Sequence, residues 1–182
     1  LVMLSEELIV TLFQYQEFDQ YAAKQSSLSL KAYGTGLMAF IAIKILAPIF
    51  LSRGDTKTPV KAGIVAMVSN IFLNVILGYY YGHVGLASAT SISALLNAAF
   101  LYYYLRKQSI FILNNEFFKM LFKVIFASII MALYVYFTST NIENYLQSMA
   151  IDRIVMISKT IIISVLIYFS SLYLMGIRIN RI

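Results

Sequence analysis

The sequence predicts an all-α, polytopic membrane protein with five transmembrane helices, and three observations carry that reading. Hydrophobic residues make up 60% of the 182 positions and charged residues only 12%, roughly half the charged share of a soluble domain. The mean hydropathy of +0.80 implies more apolar surface than one globular core can hide, so lipid must be the solvent for much of it. The apolar residues also fall into five runs, at 29–52, 60–81, 84–105, 117–138 and 154–176. Each is near the ~20 residues that a bilayer helix needs. Backbone groups in lipid require partners within the segment, which makes helices the expected form of such runs.

Taken in order, residues 1–27 stand apart. Leu8-Ile9-Val10-Thr11-Leu12-Phe13 is apolar but too short to span, and Gln14–Ser27 carries Glu17, Asp19 and Lys24. This stretch is expected to be the tail of a truncated helix followed by an interfacial segment on the outer side. The first residue is Leu1, and the chain is expected to be the C-terminal part of a longer protein. The first span ends at the polar loop Ser52-Arg53-Gly54-Asp55-Thr56-Lys57. Thr58 is expected to cap the second span, with Pro59 at its first helical position, where the missing N–H costs nothing. Tyr79-Tyr80-Tyr81 closes the second span and Tyr102-Tyr103-Tyr104 the third, as befits an interfacial aromatic belt. The short turn at Gly82-His83 makes these two spans antiparallel neighbours. Gly85, Ala89, Ser93 and Asn97, spaced by four, form a row of small residues that reads as a packing face.

The fourth and fifth spans have the least polar interiors. Phe122, Phe126, Ile129, Ile130 and Leu133 lie in one, and Ile161, Ile163, Leu166, Ile167 and Phe169 in the other. Lys123 and Lys159 lie one to two turns inside them, and snorkelling to the interface is the default expectation for both.

Loop charges set the orientation. Arg53, Lys57, Lys61, Arg106, Lys107, Lys119, Arg178 and Arg181 fall on one side, against Lys24, Lys31 and Arg153 on the other. The richer side is expected to be cytoplasmic, with the C-terminus inside. Loops 53–58 and 106–116 then face the cytoplasm, and 139–152 faces out. The net charge of +6 resides in these short loops and forms no stripe or face, which argues against nucleic acid as a partner. No cysteine is present, so disulfides and thiolate metal sites are excluded. The one histidine, His83, has no second ligand or acid beside it in the sequence and reads as a solvated turn residue. The carboxylates Glu6, Glu7, Glu17, Asp19, Asp55, Glu116, Glu143 and Asp152 all lie at span ends or in loops. Without paired acids inside a span, no enzyme is expected.

The stretch Ala47-Pro48-Ile49-Phe50-Leu51-Ser52-Arg53-Gly54-Asp55-Thr56-Lys57-Thr58-Pro59-Val60-Lys61 resembles the corresponding loop of the MviN/MurJ-type lipid II flippases. The resemblance continues through Gly82-His83-Val84-Gly85-Leu86-Ala87 and Leu95-Leu96-Asn97-Ala98 to Leu101-Tyr102-Tyr103-Tyr104-Leu105-Arg106-Lys107. It is dense over about residues 8–108 and looser in the last two spans. A loop of this length in the matching hydropathy frame is more specific than a single short motif. The resemblance implies a fourteen-helix fold of the wider MOP exporter group, built from two six-helix lobes and two further helices. The five spans here would be its tenth to fourteenth: 28–108 as three helices of the C-terminal lobe and 109–182 as the two additional ones. It also implies transport of undecaprenyl-linked peptidoglycan precursor across the bacterial inner membrane by alternating access. The partners would be that precursor, membrane lipids and the remaining N-terminal helices. The family's arginine-rich substrate site lies mostly in the first lobe, outside this chain, so no essential arginine carries over.

Two candidate sites follow. Lys44 lies eight residues before Ser52, about 12 Å from the end of its helix, deeper than a lysine stem covers. As an intramembrane charge it is a cavity cation for the anionic head group, a partial snorkeller, or the partner of a helix outside this chain. Asn70 and Asn74 share a helix face, and Thr90 lies four residues after Leu86 on the neighbouring span. Their oxygens, with the Leu86 carbonyl, could converge on a hard monovalent cation such as sodium, the one candidate cofactor. The family resemblance implies a sodium site at this place, although Asn74 stands where a member of the family can have aspartate. The alternative is that the amides hydrogen-bond between helices. Beside the flippase stand an exporter of O-antigen or capsule units or of drugs, a non-transporting membrane scaffold, and a membrane-bound glycosyl- or phosphotransferase. The transferase would need acids and arginines that these spans lack.

Overall fold

The computed structural model describes residues 1–13, 19–108, 115–138 and 148–177. They form five helices: α1 (Ser5–Phe13), α2 (Gln20–Leu51), α3 (Lys57–Lys107), α4 (Asn115–Thr138) and α5 (Ala150–Leu174). No strand occurs among the described residues. Helices α2 to α5 are long and apolar enough to cross a membrane.

Helix α3 contains the second and third expected spans. Its 51 residues would reach about 76 Å as a straight rod, more than twice the ~30 Å hydrocarbon core. The chain instead reverses at Gly82, whose φ of 57° and ψ of −132° lie where glycine alone is unstrained. Asn70 lies beside Thr90, Gly78 lies under Leu86, and a Cβ on Gly85 would run into the Leu77 carbonyl oxygen. Arms 57–81 and 83–107 therefore form an antiparallel hairpin. In the second arm Gly85, Ala89 and Ser93 of the small-residue row are buried, together with Ser91 and Ala94.

Two helix starts differ from expectation. Helix α2 begins at Gln20 rather than at 29, because Asp19 caps it: its Oδ1 accepts the Ala22 N–H at 2.7 Å. Residues 20–28 are thus part of the first span's helix instead of a separate interfacial segment; residues 14–18 lie outside the described residues. At 32 residues α2 is about 48 Å long, so its polar first turns reach beyond the apolar core. Helix α3 starts at Lys57 rather than at 60, and Thr58 is not its cap. The Asp55 carboxylate does that work, which leaves Thr58 as a donor.

The chain divides into two units, Leu1–Ser5 with Asp19–Ile112 and Glu6–Phe18 with Leu113–Ile182. In the first, α2 packs along α3. Near the 52–56 loop, Leu46 and Phe50 of α2 meet Ala62, Leu101 and Leu105 of α3 in a buried cluster. Further along, Gly36 lets α2 approach so closely that a Cβ there would lie 2.8 Å from the Ser91 Cα. The Ser91 hydroxyl uses that proximity to donate to the Ala32 carbonyl at 2.7 Å. In the second unit α4 packs on α5, burying Ala127, Val135, Ile157 and Ser164. Phe122, Phe126, Ile129 and Leu133 remain as an exposed apolar stripe on α4.

Candidate functional site

The loop between α2 and α3 is hydrogen-bonded throughout. The N–H groups of Ser52, Arg53, Gly54 and Asp55 donate back to the carbonyls of Pro48, Phe50, Leu51 and Phe50. Asp55 then works forward: Oδ1 accepts from the Lys57 and Thr58 amides at 3.1 and 3.0 Å, and Oδ2 accepts the Thr58 hydroxyl at 2.6 Å. The Thr58 hydroxyl is the main reason that the Asp55 carboxyl is held below the usual carboxylate range, with the Thr58 and Lys57 amides and nearby Lys61 acting the same way against a small desolvation effect. Arg53 and Lys57 are left exposed, as befits a charged surface loop. The role of this segment is structural geometry with charge on its rim.

The four groups singled out on α3 do come together. The Asn74 amide donates to Asn70 Oδ1 at 2.9 Å, the Asn70 amide lies 3.5 Å from Thr90 Oγ1, and Thr90 Oγ1 donates to the Leu86 carbonyl at 3.0 Å. They form one directed chain of hydrogen bonds across the hairpin. Of the oxygens a cation would need, only Asn74 Oδ1 is buried without a partner. Asn70 Oδ1, Thr90 Oγ1 and the Leu86 carbonyl each accept from a neighbouring amide or hydroxyl. As arranged, the four residues form an interhelical clasp.

Lys44 lies on the exposed side of α2, away from buried Leu46 and Phe50. Leu37, Met38, Ile41 and Ile45 surround it there, all exposed. One cation thus interrupts an otherwise apolar stripe that α3 does not cover. His83 is exposed at the Gly82 reversal, beside a cavity of about 900 Å³ that Tyr21, Gln25, Tyr80 and Tyr81 also line.

The family model described as lipid II flippase MurJ matches residues 1–157. The chain belongs to the MurJ family. A probable lipid II flippase MurJ of Vibrio cholerae is 38% identical over 180 residues, covering 99% of this chain and 34% of that protein. One of Haemophilus influenzae is 36% identical over 181 residues, covering 98% and 35%. A solved structure of lipid II flippase MurJ in an inward closed conformation superposes with a TM-score of 0.73 at 25% identity, covering 97% of this chain and 35% of that one. The chain therefore spans about a third of the length of the MurJ relatives it matches, and it is a multi-pass membrane segment of that transporter family.

Within this MurJ-family segment, sequence reasoning missed two features. The Gly36–Ser91 contact joins residues from different helices and has no signal in the sequence. Lys123, for which snorkelling is the default expectation, is half-buried and helps line a cavity at the start of α4. The spacing of Glu116, Lys119 and Lys123, which puts all three on one helical face, was the signal available.

Proposed function

We propose that the protein flips undecaprenyl-linked peptidoglycan precursor, lipid II, across the bacterial inner membrane by alternating access, with its C-terminus in the cytoplasm. The observation that carries this reading is the match to the MurJ family model over residues 1–157, supported by the likeness to a solved MurJ over nearly the whole chain. This segment would supply the tenth to fourteenth helices of the transporter. Lys44 would face the path of the anionic head group, since an intramembrane cation on an uncovered apolar stripe is expected to serve a function. The exposed stripe of Phe122, Phe126, Ile129 and Leu133 would hold the isoprenoid tail in a hydrocarbon setting while the head group crosses.

The test is reconstitution of the full-length protein in liposomes with labelled lipid II, followed by its accessibility in the opposite leaflet. Protein-dependent exchange of lipid II supports the reading. Exchange of a lipid-linked O-antigen unit without exchange of lipid II would replace it with the neighbouring exporter class. Photocrosslinkers at Phe126 and Ile129 are expected to capture a tail-labelled precursor; capture of bulk phospholipid alone would remove the tail path.

A further inference from the structure

Among the described residues of the second unit, Lys123 has no anion beside it. Lys123 lies eight residues after Asn115, about 12 Å along α4, and is half-buried. Its surroundings form a cavity of about 520 Å³ lined by Phe118, Met120, Phe122 and Ile177, with Glu116 and Lys119 at the rim. Glu116 is already engaged: its carboxylate pairs with Lys119 at 3.0 Å, both side chains being well exposed. Two ammonium groups therefore face one carboxylate, and the unmatched charge is the one farther along the helix. Among the described residues no hydrogen bond or ion pair is recorded for Lys123. A half-buried ammonium on an otherwise apolar helix gains from an anion beside it.

We propose that this cavity is a binding site for the phosphate of a membrane lipid. The ammonium of Lys123 would supply charge-assisted hydrogen bonds to phosphate oxygens. The lining decides against a free, hydrated phosphate ion, because phenylalanine, methionine and isoleucine cannot replace its lost water. A phosphate ester on a hydrocarbon chain has no such difficulty, since the chain itself sets the depth. The stacked rings of Phe122 and Phe126, 6.4 Å apart, stand one residue before and three after Lys123 and suit such a chain. One unmatched positive charge fits a phosphodiester of the bilayer, such as phosphatidylglycerol. It equally fits one phosphate of an isoprenoid pyrophosphate, and that second source rests on the flippase reading above.

The full-length protein, with 4-benzoylphenylalanine in place of Met120, is placed in phosphatidylcholine nanodiscs. Phosphatidylglycerol is added in one arm and undecaprenyl pyrophosphate in the other, and adducts are identified by mass spectrometry. An anionic-lipid adduct is expected in at least one arm. Both Lys123→Gln and Lys123→Met should lower it about tenfold, the scale of one lost charge-assisted hydrogen bond. Lys123→Arg should keep it, and Lys159→Gln, at an exposed lysine on α5, should leave it unchanged. Adducts with phosphatidylcholine only, or adducts in both arms indifferent to loss of the Lys123 charge, would overturn the site. Because no transport is measured, the phosphatidylglycerol arm stands even if the flippase reading fails.

Discussion

The close approach of α2 to α3 at Gly36 gives a sharp test of the packing in the first unit. In Gly36→Ala the new Cβ would lie 2.5 Å from the Ser91 hydroxyl oxygen and 2.8 Å from the Ser91 Cα, where ordinary contact begins at 3.4 Å. The oxygen can rotate away, but the Cα is backbone, so α2 and α3 must part locally by about 0.6 Å. Overpacking of this kind costs about 1–3 kcal/mol. Separation also weakens the Ser91–Ala32 hydrogen bond of 2.7 Å, and such bonds in membranes contribute about 0.6 kcal/mol on average. A destabilisation of about 2–3 kcal/mol is expected for the full-length protein, read by titration with a denaturing detergent in mixed micelles. Ser91→Ala alone should cost less than 1 kcal/mol, roughly the hydrogen bond. Adding Ser91→Gly to Gly36→Ala should restore part of the loss, since it removes two of the three close atoms. Gly63→Ala is the control: nothing lies within 4 Å of its Cβ, and alanine is the better helix former. If Gly36→Ala were as stable as Gly63→Ala, the close approach would be refuted.

Three further outcomes are expected. Asp55→Ala should speed hydrogen exchange at the Lys57 and Thr58 amides, and unchanged exchange would remove Asp55 as the cap of α3. Because the Asp55 carboxyl is held below the usual carboxylate range, its contribution to stability is complete at neutral pH and is lost only as pH falls through that depressed value; loss of protection near pH 6 would contradict this. Lys44→Ala should slow lipid II flipping about tenfold without loss of membrane insertion, and Lys44→Arg should retain more activity; normal transport by Lys44→Met would make the residue a tolerated snorkeller. Cysteines replacing Arg53 and His83, both exposed, should label differently in intact cells. An impermeant thiol reagent is expected to reach His83→Cys alone, and the reverse pattern would invert the orientation.

The spans were legible because bilayer-length hydropathy is a property of composition, needing no tertiary information. Helix starts were less so. Hydropathy reports where lipid surrounds the chain, whereas Asp19 starts α2 by hydrogen bonding in a polar stretch that no lipid criterion marks. At α3 the sequence reading takes Thr58 as the cap, one turn after Asp55. The better acceptor took the amides, and the threonine became a donor to it. The Asn70–Asn74–Thr90–Leu86 cluster could be assembled in advance, since helical periodicity and one short turn determine it. Whether its oxygens are free or spent depends on donor directions, which spacing does not encode. The Ser91–Ala32 bond, 59 residues apart, had no local signature at all.

The stitched joint between α2 and α3 bears on how the protein is made. Its bonds run from Pro48 to Thr58, and closing so short a segment costs little chain entropy. The joint can therefore set while later residues are still on the ribosome, long before α4 and α5 exist. Arg53 and Lys57 are displayed together at its rim, so the insertion machinery meets a preformed, positively charged bend joining two apolar rods. The pair would enter the bilayer as a unit, its charged bend favouring the cytoplasmic side.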